Sequence, residues 1–515
     1  MNKKYTANTA AVVEIGSNSV SMQIAQLKKG EISVLDTLEY PVALGHDVFE
    51  TGLISFERLR ELSGVLDKFS AVRQSYGIEK STVISCTVLR EAANRSLVSD
   101  QLAVQNRVSV RILEDSEEKA FIYSEVIRRL RETPSLPEGN SMIAYIGSGS
   151  IGVAVFDGKK IIDCQNIPMG ALKLHDMMGA LYRRSDEFHI MIEEYLDSIL
   201  GRIDLKSYQI KNLILTGPEA ETIARFSGAE KENGILRIRT KKLAGLYDSI
   251  RSMTAEKLSL RFGVPEEKAT VLYTALSIHA AMLRFCPEAE SVLSPSVTIS
   301  QAVMRHTLMP KAETEFRDYV RESALACAEH TASRFHCSQS HTAVIREYAC
   351  RIFDKMKKIH GLDAHKRLLL ELAAILHSCG SYVSVRRHNS CTFDLVKGMD
   401  LFGLCQRDVI AVACMAGNDE GSVPPDVGGF PLLSEAEKIE ISKLTAIFRL
   451  ANALDKSHKG KIKNLKIGME EDKILFRADA GCNTMLEQWA FEECSAFFKE
   501  VFGLSPELLI KSDLF

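Results

Sequence analysis

The sequence lacks the features that mark membrane and secreted proteins. No apolar run reaches the roughly 18 residues that a membrane-spanning helix needs, and the first ten residues, MNKKYTANTA, contain no apolar signal-peptide core. The twelve cysteines are scattered and never form a Cys-x-x-Cys pair, which argues against a zinc site and favours reduced thiols over disulfides. We therefore expect a cytoplasmic protein with no membrane partner.

An excess of charge of either sign is also lacking. The chain has 64 Lys and Arg residues against 67 Asp and Glu residues, so its formal net charge of −3 gives no overall attraction to nucleic acid. We expect no nucleic-acid partner. The length of 515 residues is enough for several domains, each with its own hydrophobic core.

One stretch near the beginning of the chain, residues 11–26, joins two apolar segments through a break of small residues. An apolar run leads to Glu14 and then to Ile15–Ser19, with the sequence IGSNS, after which apolar and polar residues alternate. Alternation on both sides of such a break predicts a β-hairpin. Small residues let several backbone amides point the same way and bind an anion, although an ordinary tight hairpin is the alternative for this stretch alone.

The same pattern occurs a second time, at Met142–Val155. An apolar run leads through Tyr145 to Gly147–Ser150, and apolar alternation follows again. Charged turns end both copies, at Lys28–Gly30 and Asp157–Lys160. Internal repetition is a strong architectural signal, and two such hairpins facing each other would hold a chain of phosphates from two sides. This is the arrangement of the actin, hexokinase and Hsp70 type of fold.

The rest of the chain divides by its periodicity. Strand and helix patterns alternate as far as about residue 310, including a strand predicted at Ser296–Ile299, and helical periodicity dominates afterwards. The later predicted elements are helices at Phe316–Phe335, His341–His360, Ala364–His377, Gln406–Met415, Ser434–Leu454 and Gln488–Phe502, with a small hairpin at Leu465–Arg477. The predicted domains are a first lobe at 1–132, a second lobe at 141–310, a helical domain at 311–460 and a small α/β subdomain at 461–515.

Three further motifs accompany the two hairpins. Leu89–Arg95 reads LREAANR, Arg111–Tyr123 reads RILEDSEEKAFIY, and Ile167–Leu174 reads IPMGALKL. Together with the hairpins they resemble the exopolyphosphatase and guanosine pentaphosphate phosphatase (Ppx/GppA) family, in its long form, along nearly the whole chain. The resemblance implies an α/β fold with a two-lobed actin-like (ASKHA, ribonuclease H-like) domain, then an all-α HD-like domain and a small C-terminal α/β tail. It also implies a homodimer.

The resemblance implies roles for single residues. Glu117 falls on the acid that takes a proton from the attacking water, and Glu14 replaces an aspartate that handles magnesium or that water. Glu14 and Glu117 are therefore the candidate catalytic residues, Glu14 is the one candidate metal ligand, and Mg²⁺ is the implied cofactor. The implied phosphate-binding positions are Gly16, Ser17, Asn18, Ser19, Arg90, Gly147, Ser148, Gly149, Ser150, Gly170 and Lys173.

The chain departs from the family pattern at several positions of the site. Tyr145 and Gly152 stand where the pattern has an aspartate and a glutamate that hold magnesium. Losing both acids removes the ion that offsets phosphate charge and aligns the water. Glu114 and Asp115 replace a Ser-Gly pair and add two negative charges that repel a polyanion, and Pro218 lacks the amide N–H of a Gly-Gly-Thr turn. The site therefore keeps the loops for binding phosphate and is poorly equipped for cleavage.

The helical domain shows similar losses. His341, His377 and His388 match the histidines of the HD-type domain found in longer family members, but Ser378 takes the place of the metal-binding aspartate. A metal phosphohydrolase site needs several hard ligands that converge on the ion. We therefore expect this domain to have a structural role or to form a dimer surface.

Two functions of different classes are compatible with the residues. In the first, the chain hydrolyses the terminal phosphoanhydride of inorganic polyphosphate or guanosine pentaphosphate, which Glu117, Arg90 and the Gly16–Ser19 loop favour. In the second, it is a catalytically eroded regulatory relative that binds polyphosphate or (p)ppGpp without turnover, which Tyr145 and Gly152 favour. A third alternative is a scaffold that dimerises through its helical domain. The sequence does not choose between polyphosphate and guanosine nucleotides.

Overall fold

The computed structural model describes residues 8–132, 138–182, 188–419, 430 and 433–512. The chain divides into two compact units, with the boundary between Val320 and Arg321. Within the described ranges, no helix combines the length and the apolar character that crossing a membrane requires. The division into four domains and the homodimer stay predictions.

The first unit begins with a five-stranded sheet. Its strands are β1 (Thr9–Ile15), β2 (Ser19–Lys28), β3 (Glu31–Pro41), β4 (Thr82–Ser85) and β5 (Val110–Ile112). The strand order is β3-β2-β1-β4-β5, with β1 to β3 antiparallel and with β4 and β5 parallel to β1. The predicted alternation in β2 is confirmed, since Val20, Met22 and Ile24 are fully buried.

A second sheet of the first unit repeats this topology. Its strands are β6 (Ser141–Ile146), β7 (Ile151–Phe156), β8 (Ile161–Ile167), β9 (Asn212–Thr216), β10 (Glu230–Glu232), β11 (Ile235–Arg239) and β12 (Ser291–Pro295). The order β8-β7-β6-β9-β12 corresponds strand for strand to the first sheet, and β11 and β10 extend the far edge. The internal repeat predicted from the two hairpins is therefore confirmed. Every residue of β6 and β7 is buried, which is typical of a sheet covered on both faces.

Helices cover both sheets and connect their strands. They are α1 (Leu44–Thr51), α2 (Phe56–Ser75), α3 (Thr87–Glu91), α4 (Arg95–Gln105), α5 (Asp115–Arg131), α6 (Ala171–Tyr182), α7 (Phe188–Leu200), α8 (Ala220–Phe226), α9 (Thr240–Ile250), α10 (Ala255–Phe262), α11 (Glu266–Met282) and α12 (Ile299–Leu308), with short 3₁₀ helices at Lys206–Tyr208 and Leu283–Phe285. The strand predicted at Ser296–Ile299 is wrong. Helix α12 begins at Ile299 instead, because the hydroxyl of the preceding Thr298 accepts a hydrogen bond from the amide of Gln301 at 3.2 Å and caps the helix.

The second unit is mainly helical. Its elements are α13 (Pro310–Arg334), which begins in the first unit, α14 (Gln339–Lys355), α15 (Lys357–His360), α16 (Ala364–Leu376), a 3₁₀ helix (Cys379–Tyr382), α17 (His388–Lys397), α18 (Gln406–Ala416), α19 (Glu435–Ala453), β13 (Lys463–Met469), β14 (Lys473–Ala480), α20 (Met485–Phe502) and β15 (Ser505–Ser512). The predicted helices and the hairpin are confirmed to within several residues at their ends, but the single helix predicted at His341–His360 is two helices, α14 and α15, separated at Met356. The sequence patterns did not predict α17 or β15. β15 pairs in parallel with β14, and α20 supplies the crossover that a parallel pair needs.

Gly170, just before α6, tests how tightly the second hairpin turn is packed. A Cβ atom at Gly170 would lie 2.4 Å from the carbonyl oxygen of Gly147 and 2.5 Å from the amide nitrogen of Gly149. Because both neighbours are backbone atoms, we expect Gly170→Ala to lower the free energy of unfolding by about 1–3 kcal/mol. Thermal denaturation followed by circular dichroism measures the change.

Gly64 provides the matched control. It lies exposed within α2, and an added Cβ would meet nothing within 4 Å, so Gly64→Ala should stabilise the helix by up to about 1 kcal/mol. If the Gly170→Ala and Gly64→Ala proteins melted at the same temperature, the close packing at Gly170 would be disproved.

Candidate functional site

The two hairpin turns predicted to bind phosphate are built alike. Loop 1 (Gly16–Ser19) joins β1 to β2, and loop 2 (Gly147–Ser150) joins β6 to β7. The amide of Gly16 donates to the carbonyl of Ser19 at 3.0 Å, and the amide of Gly147 donates to the carbonyl of Ser150 at 2.9 Å. The sequence repeat is therefore also a repeat of hydrogen bonding.

The backbone orientation of loop 1 follows from the bonds that its carbonyls accept. The Ser17 carbonyl accepts from the amide of Gly45 at 2.7 Å, and the Asn18 carbonyl accepts from the amide of Val42 at 3.1 Å. In a planar trans peptide, the N–H that follows a carbonyl points the opposite way. The amides of Asn18 and Ser19 therefore point away from the segment that holds the loop, and they can together face an anion.

Loop 2 is held in a similar way, through carbonyls one position earlier in the turn. The Gly147 carbonyl accepts from the amide of Ala171 at 2.9 Å, and the Ser148 carbonyl accepts from the amide of Lys173 at 3.0 Å, both at the start of α6. The amides of Ser148 and Gly149 are directed away from α6 for the same reason. Both loops thus present a pair of backbone donors, as the sequence predicts.

The tips of the loops bring the two halves of the first unit into contact. A Cβ at Gly149 would lie 2.0 Å from the Cγ2 atom of Thr87, in α3. A Cβ at Gly45, at the start of α1, would lie 2.7 Å from the Cδ2 atom of Leu172. Because these positions have no side chain, backbone of the half that contains β1–β5 or β6–β12 can touch side chains of the other half. The cleft between the two sheets is narrow at these points.

Arg90, the arginine predicted to bind phosphate, already holds two carboxylates. Its guanidinium donates to Asp115 Oδ1 at 2.9 Å, to Glu118 Oε2 at 3.1 Å and to the carbonyl of Leu113 at 2.8 Å. The Arg90 side chain is 12% exposed. A phosphate that binds Nη1 or Nη2 of this guanidinium has to compete with these acids.

Lys119 extends the same network into the second hairpin. Its ammonium pairs with Asp115 and donates to the hydroxyl of Ser150 at 2.9 Å, while that hydroxyl donates to Asp115 Oδ1 at 2.8 Å. The Lys119 side chain is only 3% exposed. Burial alone would raise the pKa of Asp115, but the charges of Lys119 and Arg90 outweigh it and hold the pKa below its ordinary value. Asp115 is therefore ionised, and both of its carboxylate oxygens have partners.

The two positions that lack the acids of the family pattern are occupied by other groups. A Cβ at Gly152 would lie 2.5 Å from Cδ of Lys119 and 2.4 Å from the hydroxyl of Tyr123, so the lysine stem runs through the space that a glutamate would need. Tyr145 donates its hydroxyl to Glu118 Oε1 at 3.2 Å. Burial, and then the charge of Glu118, raise the pKa of this phenol, which therefore stays neutral.

These residues do not fit a resident magnesium ion. Mg²⁺ needs oxygen ligands, often carboxylates, whereas this corner of the cleft contains an ammonium group that would repel the ion. Within the described ranges, no group of three or more His, Cys, Asp or Glu side chains could hold a metal. Among the residues that the structure describes, Glu14 therefore belongs to no such group of ligands.

Glu14 lies on β1, one residue before the turn begins. Ser300, at the start of α12, donates its hydroxyl to Glu14 Oε2 at 2.6 Å. Burial raises the pKa of Glu14 to about 7, and the nearby charges of Glu118 and Glu39 act in the same direction. Glu14 therefore changes its protonation near neutral pH.

The other candidate catalytic acid, Glu117, has a different environment. It pairs with Arg111, whose side chain is 56% exposed, whereas its neighbour Glu118 is buried against Arg90 and Tyr145. The catalytic roles of Glu14 and Glu117 stay predictions. Sequence reasoning did not single out Glu118 or Lys119, although one signal was available, since Lys119 stands where the family pattern has alanine.

Further ion pairs join the two halves beside the cleft. Lys173, predicted to bind phosphate, pairs with Glu91 at 2.8 Å. His46 in α1 contacts Asp176 in α6 at 3.1 Å and Glu267 in α11 at 3.0 Å. The hydrogen bond to Asp176 is the main cause that raises the pKa of His46 to about 9, so the imidazole is charged at neutral pH. Both cations therefore hold acids on the opposite half.

The second unit gathers the three histidines of the HD-like pattern near two aspartates. His341 Nδ1 lies 2.8 Å from Asp455, and the rings of His341 and His377 are 5.3 Å apart. His388 Nε2 lies 3.8 Å from Asp419. Burial lowers the pKa of His377 to about 4, so this ring is neutral. A structural role for this cluster stays a prediction.

Comparisons with known proteins agree with this architecture. The model of the Ppx/GppA phosphatase family matches residues 23–310, and the model of Ppx/GppA phosphatase domain III matches residues 320–493. A guanosine-5'-triphosphate,3'-diphosphate pyrophosphatase of Vibrio vulnificus is 20% identical over 401 residues, which cover 76% of this chain and 77% of that protein. A protein of the same name from Aliivibrio fischeri is 20% identical over 472 residues, covering 89% and 91%.

Among solved structures, an exopolyphosphatase from Cytophaga hutchinsonii superimposes with a TM-score of 0.51 at 15% identity, covering 58% of this chain and 97% of that one. This likeness supports the two-lobed, actin-like fold of the first unit. The matched family models extend over more than half of the chain and include both of its compact units. The chain therefore belongs to the Ppx/GppA phosphatase family.

Proposed function

We propose that this chain binds a phosphoanhydride chain between loops 1 and 2 and does not hydrolyse it. The ligand class is inorganic polyphosphate or a guanosine polyphosphate nucleotide, which are the compounds that the names of its relatives indicate. The observation that carries the proposal is the course of Lys119 through the space beside Gly152, where the family pattern has a metal-binding acid.

Binding is supported by the backbone of the two loops. The amides of Asn18, Ser19, Ser148 and Gly149 point away from the segments that anchor the loops, so they offer two pairs of donors. Backbone amides bind phosphate oxygens whatever the rest of the ligand is. This is the reason that both ligand classes remain in the proposal.

The absence of turnover is supported by the charges of the cleft. Arg90 and Lys119 are paired with Asp115, Glu118 and Ser150. Phosphoryl transfer depends on cations that are free to stabilise the transferring oxygens, usually a metal ion together with basic side chains. Here those side chains stabilise protein carboxylates, so a phosphate held by the loops meets cations whose charge is already largely balanced.

A second candidate function is slow hydrolysis, and one observation favours it. The pKa of Glu14 is raised to about 7, and a general base works best when its pKa is close to the working pH. Glu14 would then take the proton of an attacking water, and Arg90 would have to exchange its carboxylates for the phosphate.

The affinity for polyphosphate tests the competition for Arg90. Asp115→Asn removes one negative charge from the network, so we expect it to tighten the binding of inorganic polyphosphate and of guanosine pentaphosphate by about tenfold. Arg90→Gln should weaken both by about tenfold or more, because a charged hydrogen bond is lost. Isothermal titration calorimetry measures each affinity, with and without EDTA, which should have little effect.

The control for charge is Glu57→Gln, which removes an exposed acid from the first turn of α2. Its affinity should equal that of the unaltered chain. Tighter binding in Glu57→Gln as well would attribute the effect to overall charge, and undetectable binding in both the unaltered chain and Asp115→Asn would disprove the proposed function.

Phosphate release tests the absence of turnover. With polyphosphate or guanosine pentaphosphate and magnesium or manganese, the unaltered chain should release no more phosphate than buffer. We expect the triple variant Lys119→Ala, Tyr145→Asp, Gly152→Glu to gain metal-dependent release, because it frees the space and supplies two metal-binding acids. Release by the unaltered chain that disappears in Glu14→Gln or Glu117→Gln would instead establish hydrolysis.

The pH dependence of stability tests the raised pKa of Glu14. Between pH 4.5 and 7 the folded chain keeps a proton on Glu14 that the unfolded chain loses, so this group makes the fold less stable as the pH rises. Glu14→Gln removes the effect. We expect the free energy of unfolding of the variant to equal that of the unaltered chain at pH 4.5 and to be higher by up to about 3 kcal/mol at pH 8.

Thermal melting from pH 4.5 to 8 measures this difference, again with Glu57→Gln as the control that should show none. If the difference in stability between Glu14→Gln and the unaltered chain stayed constant from pH 4.5 to 8, Glu14 would have an ordinary pKa. The second candidate function would then lose its support.

A further inference from the structure

Two thiols lie close together in the second unit. The sulfur atoms of Cys337 and Cys379 are 3.5 Å apart, and both residues carry free thiols. Cys337 lies in the short connection between α13 and α14, and Cys379 begins the 3₁₀ helix that follows α16. Because 42 residues separate the two along the chain, the fold alone creates this proximity.

The two thiols differ in access to solvent. Cys337 is partly exposed, whereas Cys379 is fully buried, with a relative exposure of 0%. The hydrogen bond from Cys379 lowers the pKa of Cys337 below its ordinary value, and burial, acting against it, is the smaller effect. Cys337 is thus the thiol that forms a thiolate and meets a small oxidant, and Cys379 is the partner held behind it.

We propose that Cys337 and Cys379 form a reversible disulfide when a small peroxide oxidises the chain. The Cys337 thiolate attacks one oxygen of hydrogen peroxide, the O–O bond breaks, and the departing hydroxide takes up a proton to leave as water. Cys379 then attacks the sulfenic sulfur of Cys337, an S–S bond replaces the S–O bond, and the hydroxide leaves as a second water with the thiol proton. The pair loses two electrons, and the peroxide gains them.

The local structure allows the bond to close. A disulfide needs sulfurs about 2.05 Å apart, so the two atoms must approach by roughly 1.5 Å. Cys337 lies in a connection and Cys379 is the first residue of a short 3₁₀ helix, so neither thiol belongs to a long helix that would have to move to close the bond. The same two connections already touch, since the Tyr382 ring is 5.7 Å from the ring of Phe335 and 5.6 Å from that of His336. The disulfide would fasten this contact covalently.

Peptide mapping after oxidation tests the proposal. Full-length protein treated with hydrogen peroxide should lose two of its twelve free thiols, and mass spectrometry should find the Cys337 peptide linked to the Cys379 peptide with two hydrogens fewer. Dithiothreitol should restore both thiols. The thermal midpoint should rise by about 5 °C in the oxidised form, because the cross-link restricts the unfolded chain.

Variants distinguish this pair from general oxidation. Cys337→Ser should abolish the linked peptide and the shift in thermal midpoint, whereas Cys482→Ser, which removes an exposed thiol, should leave both unchanged. Cys379→Ala is a second test that introduces no polar group into the core. Oxidation of Cys337 to sulfinic or sulfonic acid without a linked peptide would overturn the proposal, and so would a linked peptide that joins Cys337 to any other cysteine.

Discussion

The salt bridge of Lys119 with Asp115 and its hydrogen bond to Ser150 determine the state of the candidate site. Lys119 and Asp115 belong to α5 on one side of the cleft, and Ser150 belongs to loop 2 on the other. A buried ammonium is costly unless its donors are satisfied, so the lysine fixes both partners in place. Arg90 shares Asp115, which couples the arginine to the same arrangement.

This network balances its charges within the protein itself. In a magnesium site, carboxylates neutralise part of the charge of the ion and a bound phosphate neutralises the rest. Here the basic and acidic side chains of the protein neutralise one another. Removing one partner of a buried network leaves the others unpaired, so its members act together. A phosphate that bound Arg90 or Lys119 in place of these acids would have to displace several contacts at once. The two loops can still offer their amides, because those donors are oriented by carbonyls that bond behind them.

The helical unit contains a cluster of histidines and, beside it, two close thiols. His377 is neutral because it is buried, and Ser378 follows it where the HD-like pattern has an acid. The thiol pair lies next to these residues in the sequence, since Cys379 comes directly after Ser378. The neutral histidine and the two close thiols are thus neighbouring features of one connection.

The sequence by itself determined the elements and the repeat, because local periodicity and small-residue turns act within a few residues. Loops 1 and 2, the sheet repeat and most helices of the second unit follow from it. The sequence pattern wrongly predicted a strand at Ser296–Ile299. There the hydroxyl of Thr298 caps a helix, although apolar and polar residues alternate as in a strand. Only the tertiary structure decided which acid of α5 faces the cleft. Neighbouring residues on a helix point about 100° apart, so packing alone buries Glu118 against Arg90 and leaves Glu117 beside Arg111. The same packing places Lys119 in the space that Gly152 leaves open.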